Sequence, residues 1–368
     1  MDSVQKIYRL FLLIIAAGLV WNILPFLASI IGMLVFAFLF TTVFLQPVDT
    51  LERTTKSRGL GVFIILSSFI SLIVVFFGSF ISNLSSQIKL FTQKLQKDDF
   101  AVSLENLSNR VRDYLPDLMG NMIPESDRLI LIAKNSLVNI FQNILTFLGS
   151  AGSFIFISVM VLIFTIILLI EYHDFKRSLV RFIPNKYLEV GLRMIFNIEQ
   201  QISKYLRGQI LAAASVAILS IIGLFILNQL GANITLIVFI GIIAGLANLI
   251  PMVGPFFGMI PAILIALMNN IGNDVALTHQ LFNIIPSPFY TLDIIVMFII
   301  VQQIDNNFIT PILVGESVGL HPMAVMIVLL IGGTLIGPLG MLFAIPAAGV
   351  IKVIISEVIF ITKNSHLL

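Results

Sequence analysis

Residues Gly208–Asn273 read GQILAAASVAILSIIGLFILNQLGANITLIVFIGIIAGLANLIPMVGPFFGMIPAILIALMNNIGN, 66 positions without one Asp, Glu, Lys or Arg. Water is not the solvent of such a run, because about 18 apolar residues without charge already suffice for a membrane helix. The run has room for three spans, or for one span followed by a hairpin that enters the membrane and returns. Length favours the second. Phe256–Met268 supplies 13 residues, about 20 Å of helix, against a hydrocarbon core of about 30 Å. A re-entrant hairpin is therefore expected near 234–268, with its tip at Pro251-Met-Val-Gly254-Pro255. Two prolines and a glycine there leave carbonyls and amides without helical partners. Such groups are stable at membrane depth only where protein or a water-filled cavity satisfies them.

Outward from this stretch the chain keeps the same character. It has 368 residues, 58% hydrophobic and 11% charged, with a mean hydropathy of +1.06. Leu10–Gln46, 59–88 and Asn135–Ile170 are free of charge as well. The expected fold is an all-α polytopic membrane protein of about six spanning helices with two Gly/Pro-broken re-entrant hairpins and an external helical subdomain. Residues 1–82 form the N-terminal membrane helices, opening on a hairpin that turns near Pro25. Residues 83–150 form the external subdomain. Within it, Leu84, Ile88, Phe91 and Leu95, then Leu104, Leu107 and Val111, recur at helical spacing among seven basic and seven acidic side chains between 83 and 134. Residues 151–207 hold a fourth span and an amphipathic connector, and 208–368 the transport core. Glu171–Arg207 carries seven Lys or Arg against four acids, which places it and both termini in the cytoplasm. The connector reads equally as a helix in the membrane interface or as a solvated link.

A second broken stretch lies at 323–355, interrupted at Gly332-Gly333 and at Gly337-Pro338-Leu-Gly340. Its Gly337-Pro338…Met341…Pro346-Ala347 repeats the order of Gly254-Pro255…Met259…Pro261-Ala262. One span between them, Phe289–Thr310, would make the two hairpins inverted repeats. Paired broken helices in inverted halves are the sequence pointer to a transport site near the bilayer midplane. That middle span ends in Gln302, Gln303, Asp305, Asn306, Asn307 and Pro311. A carboxylate at a helix centre costs about 2.5–3.5 kcal/mol, so Asp305 either faces a cavity or partner or sits hydrated at the helix end. Asn248 and Thr334, one before each tip, suit a small polar solute or bond to their own helix backbone.

Other chemistries find little support. The chain has no cysteine, His173, His279, His321 and His366 lack ligand spacing, and no metal or cofactor is expected. A net charge of +2 gives no footprint for nucleic acid. No phosphate-binding G-x-x-x-x-G-K-[ST] loop is present. No Ser/His, paired-Asp or His/Glu constellation shares a helix face, so an enzyme is not expected. The small-residue stripe Ala212, Ala213, Ala214, Ser215, Ala217, Ser220 and Gly223 is expected to pack against another helix, with a sliding surface as its other reading.

Asn248-Leu-Ile-Pro251-Met-Val-Gly254-Pro255, Gln302-Gln303-Ile-Asp305-Asn306 through Pro311, Gly315-x-Ser317-Val-Gly319-Leu-His321-Pro322, and Gly332-Gly333 through Gly337 to Pro346 together resemble the autoinducer-2 exporter family, as does Tyr205-Leu-Arg-Gly208-Gln209. The likeness covers the C-terminal 165 residues best. It implies a permease-like inner-membrane protein, a homo-oligomer (a pentamer in family members), with two hairpins around the substrate and an elevator-like shift. It implies export of autoinducer-2, or sodium/proton antiport. The implied site is Asn248, Pro251, Gly254 and Pro255 in the first hairpin, Asp305 and Asn306 in the middle span, and Gly337 and Pro338 in the second. Glu316 stands where the family often carries a basic residue. Three functions stay open: export of a small polar metabolite, antiport through Asp305 with Glu316, and a non-transporting scaffold that acts through its external helices.

Overall fold

The computed structural model describes residues 30–95, 152–250, 253–314 and 319–363, with isolated positions between 135 and 146. The expected first span before Pro25, most of the external subdomain, Pro251 and Glu316 lie outside the described residues. The helices are α1 (Ile30–Thr55), α2 (Arg58–Leu95), α3 (Gly152–Arg181) and α4 (Leu188–Leu227). After them come α5 (Ile237–Ala247), α6 (Gly254–Asn270), the short α7 (Asp274–Leu277), α8 (Thr291–Ile304), α9 (Thr310–Leu313), α10 (Pro322–Ile336) and α11 (Pro338–Lys363). The strands β1 (Gln280–Leu281) and β2 (Ile285–Pro286) form one antiparallel pair.

Six stretches among the described residues are long and apolar enough to cross a membrane: Ile30–Thr55, Arg58–Phe91, Phe156–Arg181, Leu188–Ala232, Pro288–Leu313 and Gly340–Phe360. The number matches the sequence expectation, but the membership differs. The last of the six is an arm of the second hairpin.

The chain divides into two units, Met1–Ile70 with Leu148–Pro184 and Ser71–Phe147 with Asn185–Leu368. In the first, Val48, Val62, Leu66 and Leu169 are buried together, and Phe44 meets Phe69 edge-on at 4.9 Å. One guanidinium organises its polar end. Arg58 Nη1 donates to Asp49 Oδ1 at 3.0 Å and Glu52 Oε2 at 2.7 Å, and Nε donates to the Leu169 carbonyl at 2.6 Å. His173 Nε2 stands 3.2 Å from the same Nη1. Asp49, Glu52 and His173 are grouped as metal ligands would be, but the cation they surround is Arg58. The contact joins the turn between α1 and α2 to Leu169 and His173 of α3.

In the second unit α4 is the element on which the others pack. It runs unbroken through positions 207 and 208, so connector and span are one helix of 40 residues, about 60 Å long. Helices in lipid associate by close packing rather than by excluding water, and here the approach is backbone to backbone. A Cβ on Gly245 of α5 would lie 2.5 Å from the Ala213 carbonyl and 2.6 Å from the Ala217 Cβ. One on Gly241 would lie 2.9 Å from the Ala217 carbonyl. Ala213 and Ala217 of the small stripe thus lie on a packing surface, with Ala212 and Ser220 buried beside them, while Ala214 is exposed. Val216, Leu224, Ile240, Ala244, Ala262, Ile265, Ile294 and Phe298 close a core shared by α4, α5, α6 and α8.

Both broken stretches form antiparallel helix pairs, α5 with α6 and α10 with α11. α5 has 11 residues, about 16 Å of helix, and α6 has 17, about 26 Å. In the second pair one expectation fails. The helix passes through Gly332-Gly333 without interruption and stops only at Gly337, with φ 70° and ψ −150°. The two glycines serve contact instead, for a Cβ on Gly332 would lie 2.3 Å from the Gly340 carbonyl.

The segment after α6, unassigned from sequence, holds α7, the β1–β2 ribbon and a polar knot. Ser287 Oγ donates to Asp293 Oδ2 in a short hydrogen bond. His279 Nε2 lies 3.3 Å from Asp293 Oδ1, and its ring stacks on Tyr290 at 3.9 Å. The Tyr290 hydroxyl donates to the Leu230 carbonyl at 3.1 Å, tying the loop to the far end of α4.

Candidate functional site

α8 does not end at Asp305 but widens there into a π-type turn, Asp305–Ile309, before α9. Pro311 gives the local reason. It has no N–H and its ring crowds the carbonyl four residues back, so the preceding turn opens. In a π turn the residue five positions on shares a face, and Thr310 accordingly reaches Asp305. Its Oγ1 donates to Asp305 Oδ1 at 3.1 Å. Pro311 itself is exposed, so it shapes the site without lining it.

The other carboxylate oxygen is taken by the first hairpin. Asn248 Nδ2 donates to Asp305 Oδ2 at 3.2 Å, and the reverse amide orientation would set two oxygens against each other. From α4, Gln209 Nε2 donates to the Asn248 carbonyl at 2.6 Å. Asp305 and Asn248 are each 1% exposed, and Gln209 is 4%. The buried carboxylate thus has a partner, and Asn248 does not spend its side chain on its own helix.

Glycines allow the elements to meet. α6 begins at Gly254, followed by Pro255 at a position where a missing N–H costs nothing. A Cβ on Gly254 would lie 2.5 Å from Asn248 Cβ, 2.6 Å from the Ala244 carbonyl and 2.8 Å from Asn248 Oδ1. Gly258, one turn on, abuts Ala244 and Phe298. Four elements therefore converge here: α4, the tip between α5 and α6, the π turn after α8, and α9.

Two acceptors at this crossing, Asn248 Oδ1 and Gln302 Oε1, have no hydrogen-bond partner among the described residues. Gln302 Nε2 is occupied, donating to Asn306 Oδ1 at 2.8 Å along the helix. Each Asp305 carboxyl oxygen meets one neutral donor, and the open valences are neutral. That combination suits an uncharged solute with hydroxyl groups to give.

Of the residues singled out in the sequence, the structure brings together Asn248, Gly254, Pro255 and Asp305, with Gln302 and Asn306 on the adjoining turn. It does not bring Thr334 there. Thr334 is exposed and its Oγ1 donates to the Ile331 carbonyl at 2.9 Å, the backbone bonding that was its other reading. Gly337 forms the turn between α10 and α11, and Pro338 opens α11. Gln209 and Thr310 were missed. Gln209 was visible as an amide one turn after Tyr205, at the start of the uncharged run. Thr310 sits five residues beyond Asp305, a spacing that carries meaning only once the π turn is known.

A family model described as AI-2E family transporter matches residues 10–360. Similar proteins include "AI-2 transport protein TqsA" of Escherichia coli (strain K12), 25% identical over 90% of this chain and 87% of its own. "Putative transport protein YueF" of Bacillus subtilis (strain 168) is 27% identical over 62% of this chain and 58% of its own. "Putative transport protein YrrI" of the same organism is 25% identical over 74% and 69%.

Proposed function

The chain belongs to the AI-2E transporter family, and from that premise we propose that it is a secondary transporter of the cell inner membrane that exports a small, uncharged, hydroxylated metabolite, autoinducer-2 first among them. The observation that carries this reading is the crossing itself. The buried Asp305 side chain accepts from Asn248 and Thr310 and holds the hairpin tip, while Asn248 Oδ1 and Gln302 Oε1 stay open as acceptors. In this reading the α5–α6 and α10–α11 pairs are re-entrant hairpins that shift together with solute in an elevator-like movement, within a homo-oligomer, a pentamer by family resemblance. The short arms α5 and α10 support it, since broken helices at membrane depth mark solute sites.

The test is autoinducer-2 counterflow in proteoliposomes of the purified protein, with Gly254→Leu beside it. Saturable exchange that the variant loses is the expected result. Absence of exchange by folded wild-type protein overturns the assignment. A second reading, sodium or lithium exchanged for protons, is favoured by the burial of Asp305 within a span. Asp305→Asn decides between them: ion exchange needs the carboxylate and disappears, whereas solute export survives with altered affinity.

A further inference from the structure

One face of α4 carries more polar groups than the crossing uses. Gln201, Tyr205 and Gln209 follow one another at four-residue spacing, which stacks them along one side over about 12 Å. Gln209 is engaged with Asn248. The other two are not. The Tyr205 hydroxyl and Gln201 Nε2 are shielded and have no hydrogen-bond partner among the described residues, and Tyr205 is 1% exposed.

The second hairpin supplies part of what covers Tyr205. Its ring lies in an apolar cluster with Val314, which follows α9, and Ile345 of α11, with Leu313 of α9 and Val325 and Leu329 of α10 packed against it. A buried hydroxyl without a partner is destabilising, and phenylalanine would fill the same space without that cost. The hydroxyl therefore makes no sense as packing in this arrangement. It does make sense if the surface above it separates and a ligand takes its place.

We infer that Tyr205 is a specificity-determining residue of a second polar station on α4, covered here in part by the α10–α11 hairpin, whose hydroxyl bonds the hydroxyl of an uncharged solute when that hairpin withdraws. The station lies one helical turn from Gln209, about 6 Å along the axis, so a solute leaving the crossing meets it next. Among the described residues, the buried open groups at the crossing and beside Tyr205 are neutral. Gln201 Nε2 donates, Asn248 Oδ1 and Gln302 Oε1 accept, and Tyr205 does both. Such a set recognises hydroxyl groups and offers nothing to pair a charge. The inference deepens the transport reading and rests on it.

The test uses Tyr205→Phe in the full-length protein, measured by autoinducer-2 counterflow against wild type and Gly254→Leu, with the singly deoxygenated analogues of autoinducer-2 as further substrates. The variant is expected to melt at or above the wild-type temperature, because it removes only an unpaired hydroxyl. Its half-saturation concentration for autoinducer-2 should rise about tenfold. For the analogue that lacks the bonded hydroxyl, variant and wild type should be alike, an interaction signature that a purely structural role would not give. Half-saturation unchanged within twofold for every substrate, in a wild type whose exchange Gly254→Leu abolishes, sinks this inference and leaves the transport reading intact. No exchange by wild type overturns both.

Discussion

Gly208 and Leu313 touch through their backbones: a Cβ on Gly208 would lie 2.1 Å from the Leu313 carbonyl oxygen. This contact sets the depth at which α4 crosses α9, and so places the Gln209 amide under the Asn248 carbonyl. Gly208→Ala must push the two helices apart. The expected cost is about 1–3 kcal/mol, read as a lower apparent melting temperature in detergent, with transport lost even where folded protein is recovered. A variant indistinguishable from wild type would mean that this crossing does not position the site.

Thr310→Val keeps shape and removes the donor to Asp305 Oδ1. A buried carboxylate oxygen without its hydrogen bond costs about 1–3 kcal/mol, so the variant should be measurably less stable. Thr310→Ser, which retains the hydroxyl, should recover most of the loss. Equal stability of the Val and Ser variants would contradict the bond.

Asn248 and Asp305 should be energetically coupled. Asn248→Ala and Asp305→Asn, measured singly and together by unfolding, should fall short of additivity by about 0.5–3 kcal/mol. Asn248→Asp sets a second carboxylate against the first, and it should be the least stable of the series. Strict additivity would show that the two side chains act independently.

Gly254→Ala is the smallest change at the hairpin tip. Its methyl would meet the Ala244 carbonyl and Asn248 at 2.5–2.8 Å, displacing the amide that holds Asp305. Exchange in proteoliposomes should fall sharply, while Gly59→Ala, where nothing lies within 4 Å, should leave it unchanged.

In the first unit, Arg58→Lys should fail to replace Arg58. One ammonium cannot hold Asp49, Glu52 and the Leu169 carbonyl in the geometry of a guanidinium. The acids are each about a third exposed, so the loss should be modest and should shrink in salt. Loss as large as that of Arg58→Ala would confirm that geometry, not charge, is what the site requires.

The sequence by itself determined the solvent and the breaks. Long runs without charge can be stable only in lipid, and Gly254-Pro255 and Gly337-Pro338 cannot continue a helix of ordinary geometry, so both hairpin turns were legible from local chemistry. Asp305 was legible too, because an ionisable side chain in an apolar span must have a partner. Who the partner is was decided only in three dimensions. Asn248 lies 57 positions before Asp305; the resemblance put both in one implied site, but that the two side chains bond is decided by the fold. Gly332-Gly333 misled for the same reason: a glycine pair weakens a helix locally, but contact with Gly340 on the opposite arm outweighs that weakness. The π turn, which alone lets Thr310 face Asp305, depends on how Pro311 and the crossing of α4 share space. Local propensity writes the elements of this protein, and the close approach of their backbones chooses which side chains meet.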